Sequence, residues 1–275
     1  MSALRIFSYL PNPRLWKATI AARLCDVELD IRGAKPPELA NWLWDFDARP
    51  LDNEEREAHA GLARRARTGF DGALLKTDAF LAANPFGTVP VAFSPDGATG
   101  IFESNAIMRA VARLGAERYP LYGDGPYAAA RVESFLDVSL VFARESQRYL
   151  LAIAGNRLTP ALREEAGAAL ATWLAGMEQA LQPSRQHLVG EGITLADICF
   201  VAELTQFARE RGSLAKQGRP GEALFDDAVC EAYPLAMAHY ARLSDHEAFA
   251  PDVKPFQDRI EAAVRAAVTE GGRES

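Results

Sequence analysis

The amino-acid sequence predicts an α/β half followed by an all-helical half. The first part of the chain alternates between short strand patterns and helix patterns, and from Tyr127 onward apolar residues recur only at helical spacing. The segment 123–126, Gly-Asp-Gly-Pro, separates the two halves and is typical of a linker. We therefore predict an α/β domain over residues 1–118, with a charged insertion at about 40–78, and an all-α domain over residues 126–268.

The opening elements follow from periodicity and turn residues. Residues 4–9 have the pattern of a strand, and two prolines force the next turn out of helix. Trp16, Ile20 and Leu24 are four residues apart, which predicts a helix with one apolar face. Apolar residues alternate over 27–31, so a second strand with one buried side is predicted.

The insertion is rich in charged residues. It has few large apolar side chains after Phe46, and acidic and arginine side chains dominate it. This composition favours a solvated surface excursion with one exposed helix. The alternative is that residues 45–77 form a lid over a neighbouring site.

A hairpin and a helix complete the α/β half. Residues 89–93 and 100–103 are predicted strands on either side of a Ser-Pro-Asp-Gly turn. Ser104 then caps a helix whose apolar face includes Leu114. The predicted helices of the second half are 127–154, 159–181, 193–211, 230–243 and 254–268.

Composition excludes several classes of protein. The 275 residues are 49% hydrophobic and 24% charged, which is enough for ordinary folded domains without disulfide support. A net charge of −7 argues against nucleic acid or an anionic membrane as the main partner. The sequence has no signal peptide pattern and no apolar run of about 20 residues, so we expect a cytoplasmic protein.

The cysteines and histidines do not predict a metal or redox site. Cys25, Cys199 and Cys230 form no CxxC pair, and the first two lie in apolar helix patterns, as core residues do. The four histidines have no metal-ligand spacing. We expect no bound metal and reduced thiols.

Three segments resemble the glutathione transferase superfamily. Residues 84–90, Asn-Pro-Phe-Gly-Thr-Val-Pro, resemble its NPxGxVP segment, and residues 102–107 resemble its FESNAI segment one short hairpin later. Residues 194–198 are similar to the TxAD segment that caps a helix of its second domain. The opening 8–14, followed by Lys17-Ala18, also resembles the transferase domain of the elongation factor one gamma subunit. Bacterial etherase-type and nu-type transferases are similar as well.

The resemblance implies a thioredoxin-like α/β domain followed by an all-α helical domain, the glutathione transferase fold. It implies a cis Val89–Pro90 bond, whose backbone pairs with the cysteinyl part of glutathione. It implies that Ser104 binds the γ-glutamyl carboxylate of glutathione and that Glu103 binds its γ-glutamyl ammonium. Without the resemblance, Ser104 is a plain helix cap and Pro90 a trans proline at a strand start.

The thiolate stabiliser of the family aligns with Asn12. An amide can donate a hydrogen bond to a thiolate but cannot take its proton, so the role is to lower the pKa of the thiol. Tyr9 and Ser8 are rival donors, and Arg14 is a possible source of positive field. The alternative for Asn12 is a turn residue, since Asn-Pro is a common turn dipeptide.

The partner of the glycyl carboxylate and the role of the 194–198 segment complete the assignments. Several basic residues remain open as partners of the glycyl carboxylate: Lys35, Arg64, Arg65, Arg67 and Lys76. Thr194 and Asp197 are interpreted as a structural capping box.

The resemblance predicts a cytoplasmic, homodimeric glutathione S-transferase with a detoxification role. Glutathione is its substrate, and its thiolate attacks a small hydrophobic electrophile by conjugation or by ether or halide cleavage. The alternative is a non-catalytic glutathione-transferase-like module for protein contacts. A glutathione-dependent reductase is disfavoured, because no cysteine lies near position 12.

Overall fold

The chain divides after Tyr119 into two compact units. The structure, a computed structural model, describes residues 2–66, 69–70 and 72–271. The elements of the first unit are β1 (Leu4–Tyr9), α1 (Pro13–Cys25), β2 (Leu29–Ala34), β3 (Trp42–Trp44), β4 (Arg49–Pro50), α2 (Asn53–Ala58), β5 (Ala63–Arg65), β6 (Ala73–Lys76), α3 (Asp78–Ala83), β7 (Val91–Phe93), β8 (Gly100–Phe102) and α4 (Ser104–Leu114).

The first unit contains two four-stranded sheets. In the first sheet the order is β2-β1-β7-β8, with β1 parallel to β2 and antiparallel to β7. Strand β1 occupies the centre of this sheet because its Ile6 and Phe7 are fully buried. Strand β2 lies at the edge of the sheet and Ile31 is 38% exposed, so the buried side predicted for this strand is wrong at Ile31. Helices α1 and α4 pack against each other.

The insertion forms the second sheet, in the order β4-β3-β6-β5. Its Trp44 and Leu74 belong to the same buried cluster as Phe7, Phe80 and Phe93 of the rest of the unit. Most described residues of the insertion are exposed or half-buried, as predicted for a surface excursion, but these few apolar side chains complete the core of the unit. The predicted exposed helix is confirmed as α2, which has no buried residue and begins at a capping box.

The described residues of the second unit form helices and connecting loops, without a strand. Its helices are α5 (Gly125–Ala154), α6 (Pro160–Ala180), α7 (Leu195–Lys216), α8 (Asp227–Ala232), α9 (Pro234–Ser244) and α10 (Ala250–Gly271). Helix α7 is central and is buried along almost its whole length. Residues 230–243, predicted as one helix, form two, because Pro234 lacks the N–H that a continuous helix needs and begins α9 instead.

Aromatic and polar contacts fix the centre of this unit. Phe142 stacks on Trp173 with ring centroids 4.2 Å apart, and Tyr149 stacks on Phe207. The predicted capping box is confirmed, since the Thr194 hydroxyl and N–H both donate to Asp197 at the start of α7. No helix in the described part of the chain has the length and apolar character that a membrane span requires.

Candidate functional site

A short loop leads to the Val89–Pro90 peptide bond, which is cis, as the resemblance implies. The register of β1 and β7 ends at Phe7 opposite Val91, so Val89 lies two residues outside the paired strand. The fully buried Asn84 donates from Nδ2 to the Thr88 carbonyl at 2.7 Å and ties the two ends of the loop together. The loop thus presents the Val89 backbone in a fixed position at the margin of the first sheet.

The N-terminus of α4 lies at the end of the neighbouring strand β8. Ser104 is the first helical residue and Glu103 is the N-cap, so the prediction that Ser104 caps the helix is wrong by one residue. Glu103 has a φ of 69°, a left-handed conformation that costs a non-glycine residue about 1–3 kcal/mol and that is found most often at functional sites. The first N–H groups of a helix have no partner within it and favour an anion.

A buried lysine supports this helix N-terminus. Lys17 of α1 is 1% exposed, and its Nζ donates to Asn105 Oδ1 at 2.7 Å and to Ser104 Oγ at 3.3 Å. Because an ammonium only donates, the Ser104 oxygen is the acceptor and its hydroxyl hydrogen points elsewhere. The predicted site residues therefore omitted a cation close to the first turn of α4. The available signal was the position of Lys17 one turn before Ile20 and Ala21, on the buried face of α1.

Asn12 is the N-cap of α1 and is 1% exposed. Its Oδ1 accepts from the Arg14 N–H at 3.0 Å, and its Nδ2 donates to Ser8 Oγ at 3.0 Å. The Ser8 hydroxyl in turn donates to the Tyr9 carbonyl. The side chains of Asn12 and Ser8 and the Tyr9 carbonyl thus form one hydrogen-bonded chain at the C-terminal end of β1. One amide hydrogen of Asn12 is already engaged within that chain.

The basic residues left open for the glycyl carboxylate fall into two groups. Arg64, Arg65 and Lys76 line a single cavity of about 570 Å³ beside the Phe86–Gly87 turn. Lys35 is exposed in the turn after β2 and does not line that cavity. Arg67 lies outside the described residues.

The cysteines are poor nucleophiles in this structure. Burial raises the pKa of the Cys25 thiol to about 11, so it stays protonated at neutral pH. Burial, followed by the nearby Asp227, also raises the pKa of the Cys230 thiol. Within the described residues, no group of three or more histidine, cysteine, aspartate or glutamate side chains is arranged to hold a metal ion.

Sequence comparison finds similarity to known proteins over parts of this chain. The model of the "Glutathione S-transferase, C-terminal domain" family matches residues 149–247. Elongation factor 1-gamma 2 of Oryza sativa subsp. japonica is 38% identical over 136 residues, which are 49% of this chain and 32% of that protein. Probable elongation factor 1-gamma 1 of Arabidopsis thaliana is 38% identical over 139 residues, which are 48% of this chain and 32% of that protein. The chain thus spans 32% of the length of these two relatives.

Solved structures match over nearly the whole chain. A glutathione S-transferase from Methylobacillus flagellatus, solved with GSH bound, is 18% identical at a TM-score of 0.60, covering 91% of this chain and 98% of that one. An epsilon-class glutathione S-transferase from the housefly, Musca domestica, is 14% identical at a TM-score of 0.63, covering 96% and 98%. The architecture is therefore the glutathione transferase fold, as the sequence predicts. The chain is thus similar in sequence to the glutathione S-transferase C-terminal domain family over residues 149–247, and in fold to glutathione transferases over most of its length.

Proposed function

We propose that the first unit binds glutathione and activates its thiol for attack on a small hydrophobic electrophile. The observation that carries this proposal is the N-terminus of α4, where Glu103, Ser104 and the buried Lys17 lie together. The cis Val89–Pro90 segment provides backbone outside the ladder, just before β7, and β7 pairs with β8, the strand that precedes α4. A site for an extended acidic tripeptide requires two features, an anion-binding helix N-terminus and a backbone segment with which the peptide can pair.

The γ-glutamyl end of glutathione would bind at the first turn of α4. Its carboxylate accepts hydrogen bonds from the N-terminal N–H groups and from the Ser104 hydroxyl, whose hydrogen is directed away from Lys17. The Lys17 ammonium strengthens the positive field there without contacting solvent. The Glu103 carboxylate accepts from the γ-glutamyl ammonium.

The cysteinyl part would lie along Val89, with its N–H and C=O paired to the Val89 backbone. The thiol then faces the end of β1 and the start of α1, where Asn12 donates a hydrogen bond to the thiolate. Arg14 adds positive field, and Tyr9 is a second donor. The thiol loses its proton to solvent, and the thiolate attacks an electrophilic carbon while a halide or alkoxide leaves with the bonding electrons. Donation to the thiolate lowers the thiol pKa and raises the reactive fraction at neutral pH.

Residues on α5 support a homodimer. Tyr127, Val138 and Val141 are 90%, 56% and 69% exposed, and the two valines are three residues apart on one face of the helix. Apolar side chains grouped on an exposed helix face are typical of an interface between protein copies. The cysteines of the described residues form no disulfide, which supports a cytoplasmic location.

A second candidate function is a non-catalytic module for protein contacts. The curated relatives at 36–38% identity over about half of the chain are elongation factor 1-gamma proteins, whereas the transferase structures are 14–23% identical. This difference in identity favours descent from a translation-factor subunit. The hydrogen bonds that engage Asn12 also favour weak catalysis.

Calorimetric titration with glutathione, followed by a conjugation assay with a chloronitrobenzene, separates the two functions. Binding with turnover supports the transferase, and binding without turnover supports a module that has kept the site. Ser104→Ala should weaken glutathione binding more than it lowers fold stability. Unchanged affinity of Ser104→Ala for glutathione would contradict the proposed carboxylate site at the N-terminus of α4. If the wild type did not bind glutathione, the proposed transferase function would be wrong.

A further inference from the structure

The cavity beside the insertion has a defined lining. Its volume is about 570 Å³, and its walls come from β5, β6, α3 and the turn before β7. We call it the insertion cavity. It is lined by Arg64, Arg65, Ala66, Lys76, Leu81, Pro85, Phe86 and Gly87.

Part of the lining of the insertion cavity is cationic. The Arg65 side chain is exposed and makes no hydrogen bond or ion pair with any residue that the structure describes. Arg64 is held more firmly, since its Nη1 donates to the Gly61 and Ala63 carbonyls and its Nη2 lies 3.1 Å from Asp78, a carboxylate that is itself 86% exposed. Lys76 is 3% exposed, and its Nζ donates to the Gly87 carbonyl at 2.6 Å. Lys76 therefore contributes a positive electrostatic potential to the cavity, while the two arginine side chains can contact a ligand directly.

The rest of the insertion cavity lining is mainly apolar. It includes Leu81, Pro85 and Phe86, and Phe86 is 55% exposed. A large aromatic side chain exposed beside cationic side chains is suited to a ring that carries a negative charge. This local positive region is notable in a chain with a net charge of −7.

Size and lining separate the insertion cavity from the proposed glutathione site. Pockets for small molecules measure about 300–1,000 Å³, so a cavity of about 570 Å³ accommodates a whole small molecule rather than one carboxylate. None of the residues proposed for the γ-glutamyl and cysteinyl parts of glutathione lines it, namely Tyr9, Asn12, Arg14, Val89, Pro90, Glu103 and Ser104.

We propose that the insertion cavity is a second ligand site, which binds a small aromatic carboxylate. Arg64 and Arg65 donate charge-assisted hydrogen bonds to the carboxylate, and Lys76 adds positive field beneath it. Phe86, Leu81 and Pro85 cover the ring. The insertion is then neither a lid nor a plain surface segment. It builds a binding site with its own second sheet.

Calorimetry on the full chain with 2-naphthoate tests this site, and the neutral 2-naphthylmethanol is the matched ligand. The wild type should bind the carboxylate more tightly than the alcohol, and added salt should reduce the difference. Arg64→Gln with Arg65→Gln should weaken 2-naphthoate binding by about tenfold or more, the loss expected for one or more charge-assisted hydrogen bonds. Both arginines are at the surface, so this double variant should keep the fold. Arg49→Gln with Arg56→Gln removes the same charge from the same insertion, outside the cavity, and should change binding little.

Equal affinity of the double variant and the wild type for 2-naphthoate would overturn the proposal. So would equal affinity of the wild type for the acid and the alcohol. Saturating glutathione should leave 2-naphthoate binding unchanged. If glutathione displaces it and γ-glutamylcysteine, which lacks the glycine, does not, the cavity holds the glycyl end of glutathione and a second ligand site is excluded. The 2-naphthoate titration needs no glutathione, so its outcome is independent of the proposed transferase function.

Discussion

The two units bury charged side chains in contrasting surroundings. In the second unit, main-chain N–H groups and hydroxyls converge on the carboxylates of Asp197 and Glu210. In the first unit, the ammonium groups of Lys17 and Lys76 lie beside neutral oxygen atoms, next to a helix N-terminus and a cavity. A carboxylate surrounded by donors of its own chain serves the fold. An ammonium beside a helix N-terminus or a cavity contributes a field that an anionic ligand can use.

The carboxylate of Asp197 provides the strongest test of this contrast. It accepts from the Leu188 and Thr194 N–H groups and lies 2.9 Å from His239 Nε2. Arg242 donates to the other ring nitrogen of His239, so Nε2 carries the hydrogen that points to Asp197. Asp197→Ala should lower the free energy of unfolding by about 3–5 kcal/mol, because it leaves several buried donors without a partner.

Asp226→Ala is the matched control for Asp197→Ala. Asp226 also caps a helix, through the Val229 N–H, but it is exposed, so its loss should cost about 1 kcal/mol. Urea denaturation measures both values. Equal losses in the two variants would mean that burial adds nothing to the Asp197 contacts.

Glu210 should make the second unit sensitive to pH. Burial raises its pKa from 4.5 to about 7, against the opposing effect of the hydrogen bonds from Tyr149, Phe225 and Leu224. Between these pH values the unfolded chain has lost the proton and the folded chain keeps it. Stability should therefore fall as pH rises from about 4.5 to 7, by an amount on the order of 3 kcal/mol, and level off above that.

Glu210→Gln tests the pH effect, because it preserves size and cannot ionise. Its unfolding free energy should change less than that of the wild type between pH 5 and pH 8, as measured by urea denaturation at each pH. Parallel pH profiles for the two proteins would show that the folded state holds the Glu210 carboxylate ionised without a penalty.

Lys17→Met should affect ligand binding more than stability, the reverse of Asp197→Ala. Methionine is an apolar side chain of similar length, so the helix pair α1 and α4 should still form, with a loss of about 1–3 kcal/mol for the Asn105 acceptor. Glutathione affinity should fall by about tenfold or more, since the positive field at Ser104 is gone. Calorimetry measures this, with Lys216→Met as the surface charge control. A loss of stability with unchanged affinity would place Lys17 with Asp197 and Glu210 as a group that serves the fold.

The same contrast explains how much the sequence could predict. Long helices and segments with family motifs were predictable, since β1, α5 and α6 follow from periodicity and the Val89–Pro90 loop from its motif. The sheet of the insertion was not, because strands of two to four residues carry no readable period. Its parallel pair, β3 and β6, also joins residues more than thirty positions apart along the chain. Lys17 was missed for a similar reason, as a lysine in a helix pattern is normally on the surface and only tertiary packing buries it.

Asn12→Ala has the smallest expected effect of these variants. It decides whether Asn12, which caps α1, also stabilises the thiolate of glutathione. One amide hydrogen of Asn12 is engaged with Ser8, so at most one remains for a thiolate. Loss of one hydrogen bond to a charged group, about 1.5 kcal/mol at the lower end, should raise the pKa of bound glutathione by about one unit. The ultraviolet absorbance of the bound thiolate, followed against pH, measures this shift directly.

Asn12→Ser separates the two roles of Asn12. Serine is as good a helix cap as asparagine, so Asn12→Ser should keep the stability that Asn12→Ala loses, about 1 kcal/mol. If Asn12→Ala raises the thiol pKa and Asn12→Ser restores it, a donor at this position stabilises the thiolate. If all three titrations coincide while only Asn12→Ala is destabilised, Asn12 is solely the cap of α1. The stabiliser would then be sought at Tyr9, Ser8 or Arg14, the groups that share its end of β1.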